Sequence, residues 1–256
     1  MSEKVDLLHH IVDSHSIEIF SWKLDLPHIE IFGIDMSITK HVFFMWIAAA
    51  VMTSIFIIIT RKEHMVPRGL RNLFEAMAVF IRDFVAKPYL KEDTDRFLPY
   101  IWTVFFFIMF CNLMGLIPFG ATPTGNIAVT GTLALCTLVL CQVTAIIRHG
   151  KHYLHALVPP VQWWLWPMMF VIEVSGWMAK TMALAIRLFA NMVGGHIVLL
   201  GFLSLTFIFK SYAVGTASVA VCTALYCLEI FVALLQAFVF TFLTAVFLGI
   251  MLHPDH

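Results

Sequence analysis

Charge is what this sequence has least of. Asp, Glu, Lys and Arg make up 12% of 256 residues, about half the share of a soluble domain, and 16 bases balance 16 acids. With neither sign in excess, nothing proposes nucleic acid or an acidic macromolecule as a partner. Thiol chemistry is as thinly represented. The five cysteines, Cys111, Cys136, Cys141, Cys222 and Cys227, all sit in apolar runs and none forms a CxxC pair, so they read as small hydrophobes. No P-loop, HExxH or GxSxG occurs, and no histidines are spaced to hold a haem within a membrane. These absences argue against nucleotide or hydrolytic chemistry on this chain and against a resident metal or cofactor, so it is not expected to be an enzyme. The opening MSEKVDLLHHIVDSH is acidic and lacks an apolar core, so it does not read as a cleavable signal peptide.

What is present is hydrophobic: 61% of residues, with a mean hydropathy of +0.90. Residues 41–60, HVFFMWIAAAVMTSIFIIIT, carry no formal charge and are long enough to cross roughly 30 Å of hydrocarbon. Further spans are expected at about 99–119, 127–147, 160–209 and 211–252. Between the first two, GLRNLFEAMAVFIRDFVAKPYL spaces its apolar residues like an amphipathic helix lying on a surface. The fold class expected is therefore all-α: five transmembrane helices and a surface helix in one membrane domain, 41–256, after an extracytoplasmic segment, 1–40. In that segment IEIFGIDMSITK alternates like a short extended stretch. Basic residues cluster in 61–98 and 148–159 and are missing from 120–126, which places the first two on the cytoplasmic side, the N-terminus outside and the C-terminus inside. The last two apolar segments are about twice the length a bilayer needs. Each is either a hairpin or one steeply tilted helix, kinked at Gly194-Gly195 if at all, and the lack of a polar turn of several residues favours tilted helices.

Within these two segments stand Glu173, Lys180, Arg187 and Glu229, with His196, Asn191 and Gln236 as polar neighbours. Glu173, Lys180 and Arg187 recur every seven residues and so form one stripe on a helix, with Asn191 one turn beyond Arg187; Glu229 and Gln236 share a face by the same spacing. If the segments form an antiparallel hairpin about KSY, 210–212, facing residues have numbers totalling about 424, which sets His196 against Glu229 and Arg187 against Gln236. A buried arginine costs roughly 2.5 to 3.5 kcal/mol on insertion scales, and no acid lies near Arg187 in sequence. One reading is structural, the charges fixing helix register. The other is ion translocation: His196 and Glu229 exchange protons near neutral pH on one side of Arg187, Glu173 on the other, and arginine keeps its own proton even when partly buried. HGKHYLH, His9, His10 and the terminal HPDH read as solvated histidines rather than metal ligands. A secondary transporter working alone would carry an internal repeat, and 182–200 has no second copy.

At AIRLFANMVGGH the sequence resembles the a subunits of F-type ATP synthases, whose pattern is arginine followed by Leu-Phe-x-Asn-Met. The likeness extends to NLMGLIP (112–118), PTGNIAVT (123–130), Glu173 and LLQAFVFTFLTAVFL (234–248), covering roughly 40–250. The resemblance implies a non-catalytic stator in a bacterial plasma membrane. Its implied partners are the c-ring proteolipids, the peripheral-stalk b subunits and the rest of the synthase. It further implies that two proton half-channels meet a ring carboxylate at Arg187, the outer one past His196 and Glu229 and the inner one past Glu173. Relatives place an acid and a histidine at 196 and 229 in either order, and commonly glycine where Ala190 stands. Lys180 fits a basic position in relatives and equally a side chain that reaches for the surface.

Overall fold

The computed structural model describes residues 16–19, 22–25, 30–31, 34–35, 39–61, 69–117, 122–150, 162, 164–209 and 212–252. Two small antiparallel hairpins come first, β1 (Ser16–Ile19) with β2 (Trp22–Asp25) and β3 (Glu30–Ile31) with β4 (Ile34–Asp35). The all-α class thus describes the membrane-spanning part, and the alternation in IEIFGIDMSITK is that of the second hairpin. Then come α1 (Lys40–Thr60), α2 (Leu70–Phe80), a π-helical turn (Ile81–Ala86), α3 (Lys87–Leu90), α4 (Thr94–Gly115), α5 (Ile127–His149), α6 (Trp166–Phe209) and α7 (Tyr212–Leu252). Five stretches among the described residues are long and apolar enough to cross a membrane: Lys40–Thr60, Leu70–Gly115, Ile127–His149, Trp166–Phe202 and Gly215–Leu252. β-Branched and aromatic residues fill these helices despite modest helix propensity, because in lipid a helix satisfies every backbone group within its own segment.

Boundaries differ from the sequence expectation where the chain is amphipathic. The second span was expected at about 99–119. Instead α4 begins at Thr94 and carries Pro99 inside it. The turn into α4 lies at Lys91, a non-glycine residue with φ of 49°, followed by a 3₁₀ turn that Thr94 closes with a hydroxyl bond to the Lys91 carbonyl at 2.6 Å. α6 starts at Trp166 rather than 160 and runs unbroken through Gly194-Gly195. With 44 residues in α6 and 41 in α7, each is about 60 Å or more long, so each either tilts steeply or extends beyond the hydrocarbon. Lys210 and Ser211 of KSY and most of the 148–159 loop lie outside the described residues.

The chain divides into two compact units. The first takes its described residues from Met1–Thr53, Phe107–Val129 and Leu188–Gln236. Its core joins Leu116, Met192 and Ala233, with Leu113 packed against them. There α6 and α7 run antiparallel: Gly195 meets Glu229, the Cys222 thiol faces the Leu199 carbonyl, and Ser218 bonds the Phe202 carbonyl. Gly115 ends α4 where a Cβ would overlap the Thr122 side chain, so only glycine lets the following turn fold back this closely.

The second unit takes Ser54–Phe106, Thr130–Arg187 and Ala237–His256. Phe56, Phe74 and Phe106 pack with centroids 4.9 to 5.8 Å apart, tying α1 and α2 to α4. The Trp102 indole donates to the Ala78 carbonyl at 3.0 Å. On α7, Gly249 approaches α3 so closely that a Cβ would stand 2.7 Å from the Tyr89 carbonyl oxygen. α2 exposes Leu70, Leu73 and Phe80, and the π-helical turn after it exposes Phe84. His149, read from sequence as a solvated histidine, is instead partly buried, its Nε2 3.0 Å from the Met251 carbonyl oxygen near the end of α7. An imidazole N–H at a helix C-terminus satisfies a carbonyl that has no partner within the helix.

Candidate functional site

Polar residues of the first unit gather on the α6–α7 hairpin and on the end of α4. Glu229 is buried on α7 against the Gly195 position of α6, where an added Cβ would come within 2.7 Å of its Oε1. Two turns further along α7, Gln236 is buried and its Oε1 accepts from Asn191 Nδ2 of α6 at 2.9 Å. Gln236 Nε2 is buried with no hydrogen-bond partner among the described residues. That amide therefore has a donor to offer, which favours a water or an acceptor supplied from outside the described chain. The backbone of His196 lies in α6, one residue beyond Gly195, and its side chain lies outside the described residues.

Between Glu229 and Gln236, α7 is gripped from α4. Asn112, fully buried, donates to the Ala233 carbonyl at 3.0 Å and accepts from the Thr124 hydroxyl at 2.7 Å. The Tyr226 hydroxyl bonds the Leu116 carbonyl. At the N-terminal end of α1, His41 Nδ1 lies 2.9 Å from the Thr122 carbonyl oxygen. Sequence reasoning missed this set. Asn112 and Thr124 lie within NLMGLIP and PTGNIAVT, but no periodicity reveals that Asn112 meets Ala233, 121 residues away.

In the second unit the stripe on α6 stands differently. Arg187 and Lys180 are exposed and Glu173 is half-buried, whereas Trp177, Leu184 and Ala185 turn inward. Lys180 Nζ lies 4.9 Å from the centroid of Trp177 and 5.9 Å from that of Phe247 on α7, and these two rings meet edge to face at 5.6 Å. The ammonium is thus seated on two π faces. Around Arg187 the exposed side chains are apolar, among them Met182 and Ile186. A guanidinium on such a face lacks a counter-charge from its own helix neighbours, and an anionic group would have to be brought to it.

Comparison with other proteins agrees in one direction. A family model described as ATP synthase A chain matches residues 42–249. The chain is 43% identical over 262 residues to ATP synthase subunit a of Chloroherpeton thalassium, covering 99% of this chain and 79% of that protein. It is 46% identical to ATP synthase subunit a 2 of Chlorobaculum tepidum over 253 residues (95% and 72%) and to ATP synthase subunit a 2 of Prosthecochloris aestuarii over 260 residues (98% and 80%).

Proposed function

This chain belongs to the ATP synthase A chain family, and from that premise we propose how its polar residues move protons. As an ATP synthase subunit a it is a membrane-embedded component of a bacterial ATP synthase complex, the stator subunit that translocates protons. It contributes no nucleotide chemistry; its role is to pass protons to and from a carboxylate on a rotating c-ring, with b subunits holding it against the ring's torque. The N-terminus faces outward and the C-terminus the cytoplasm, as the basic clusters at 61–98 and 148–159 favour.

A proton from outside reaches His196 and Glu229 and passes along the face that Glu229 shares with Gln236 and Asn191 to a ring carboxylate. Once neutral, that carboxylate can enter lipid; a charged one cannot do so cheaply. After nearly a full turn it loses its proton to the inner route, past Glu173, and meets Arg187 as an anion. Arg187 stabilises that anion with a planar fork of donors and, as a fixed charge, bars a proton from crossing directly between the routes. The observation that carries this reading is a contrast: an enclosed polar group at Glu229 and Gln236 of α7 with Asn191 of α6, and an arginine of α6 exposed on an apolar face.

Arg187→Ala tests it. Proton-driven ATP synthesis in vesicles containing the verified, assembled complex is expected to vanish, while passive proton conduction through the membrane sector rises once the nucleotide-hydrolysing part is stripped off. Arg187→Lys is expected to fail as well, since a lysine can lose its proton when desolvated and offers no bidentate fork. Near wild-type synthesis by Arg187→Ala would overturn the reading, and loss of assembly alone would favour a purely structural arginine.

A further inference from the structure

Between Glu173 and Arg187 the α6 sequence is VSGWMAKTMALAI, in which Lys180 is the one charged residue. The outward side chains around it are apolar: Met178 and Met182 are 57% and 59% exposed, Ile186 is 48% exposed, and Ala179 and Ala183 are exposed too. Such a surface sheds water, and narrow apolar passages close to ions and protons by drying out. The two Glu-to-Arg half-steps, each seven residues, span about 10 Å along the helix, too far for a direct proton hop, so water has to fill them.

Lysine at membrane depth normally stretches toward the headgroups and takes its charge with it. Here it does not have that freedom. Its ammonium is held over Trp177 and Phe247, with Trp177 itself buried, and no carboxylate among the described residues lies within ion-pair distance. Aromatic faces attract the cation without neutralising it or using up its three donors, so those donors remain for water. A carboxylate partner would instead have closed the charge off.

We propose that Lys180, seated on Trp177 and Phe247, is the hydration anchor of the inner proton route, a positioning residue that keeps the stretch between Glu173 and Arg187 wet. The proposal rests on the reading of this stripe as the inner route. It requires a polar head at this point, held by the aromatic pair, and it assigns Lys180 no proton transfer of its own.

The test measures water directly. In the assembled complex, with all five native cysteines replaced by alanine, Ala183→Cys is labelled with a water-soluble maleimide from the cytoplasmic face. Adding Lys180→Met, which keeps the stem and removes the charge, is expected to slow labelling about tenfold and to lower passive conduction through the stripped sector in parallel. Lys180→Arg, which also sits on aromatic rings, should stay within about twofold of the parent, and Lys180→Gln should fall between. Phe247→Leu, which removes half the seat, should slow labelling about threefold although the lysine is intact. Labelling of Lys180→Met at the parent rate overturns the proposal, and so does an equal slowing in Lys180→Arg and Lys180→Met, which would point to shape rather than charge. Because labelling does not depend on rotation, these outcomes stand apart from those of Arg187→Ala: synthesis by that variant would defeat the stator reading and leave the hydration result readable.

Discussion

Residues on either side of Leu188 handle polarity in a membrane helix in opposite ways. From Leu188 onward, α6 turns Asn191 and the Gly195 surface inward to meet Gln236 and Glu229, and the polar groups sit among helices of the same chain. Up to Arg187, the same helix leaves its charges on or near an exposed face, one of them resting on aromatic rings. The first arrangement is met largely by the chain's own groups, with the donor of Gln236 Nε2 left over, since buried polar groups persist where hydrogen bonds replace those lost to water. The second is complete only with something the chain does not supply: water, headgroups or the carboxylate of another subunit. Damage should therefore show in the enclosed region as lost geometry and in the exposed region as lost partnership.

The sharpest way to break this comparison is to neutralise one acid in each region. Glu229→Gln, in the enclosed group, is expected to cut proton-driven synthesis by about a hundredfold with assembly intact, because general acid–base groups contribute roughly two to four decades. Glu173→Gln, half-exposed, should cost only about threefold, since water offers the proton another path. Equal losses would mean that enclosure does not decide how replaceable an acid is. Next in size is Asn112→Ala, which leaves the Thr124 hydroxyl and a carbonyl in the protein interior and should destabilise the detergent-solubilised complex by about 1 to 3 kcal/mol, read as a lowered unfolding midpoint.

Smaller still is the effect of a single methyl. Gly195→Ala places a Cβ against Glu229, so the carboxylate or the helices must shift, and synthesis should fall about threefold; Gly194→Ala, whose Cβ meets nothing within 4 Å, should be silent. Equal effects would remove Gly195 from the site. The smallest expected change lies on the surface of the second unit. Arg82 and Asp95 pair at 3.0 Å with side chains 49% and 77% exposed, and Arg82→Ala should shift stability by less than about 0.5 kcal/mol, because solvent screens such pairs.

The spans were legible because a charge-free run of twenty or more residues has few fates besides a membrane helix. The hairpin was legible too: a short polar break between two long apolar runs fixes antiparallel neighbours, and Gly195 against Glu229 lies at the expected register, but Gln236 bonds Asn191, one turn beyond the Arg187 expected to face it. The rest was hidden for physical reasons. Gly194-Gly195 suggested a kink, whereas Gly195 makes room for a carboxylate on another helix, a purpose no local pattern encodes. The aromatic seat of Lys180 joins Trp177 to a phenylalanine seventy residues on, in a sequence with 24 phenylalanines, so nothing marks which one it is. The start of α4 was placed late because Asp95 and Arg96 do not belong to an apolar run, although the helix begins before them and tolerates Pro99 near its N-terminal end.

The bond from Asn112 to Ala233 also has a meaning in time. The two residues are 121 positions apart, so a ribosome adding about 5 to 20 residues per second delivers Asn112 to the membrane roughly 6 to 24 s before its acceptor exists. Tyr226 follows Leu116 by 110 residues and Met251 follows His149 by 102, so α4 and α5 wait for the same late helix. During that interval the amide of Asn112 is a polar group at membrane depth without its final acceptor. The nascent chain thus spends its riskiest seconds as a four-span intermediate whose most buried asparagine must be sheltered by the insertion machinery, by water or by a passing subunit until α7 arrives.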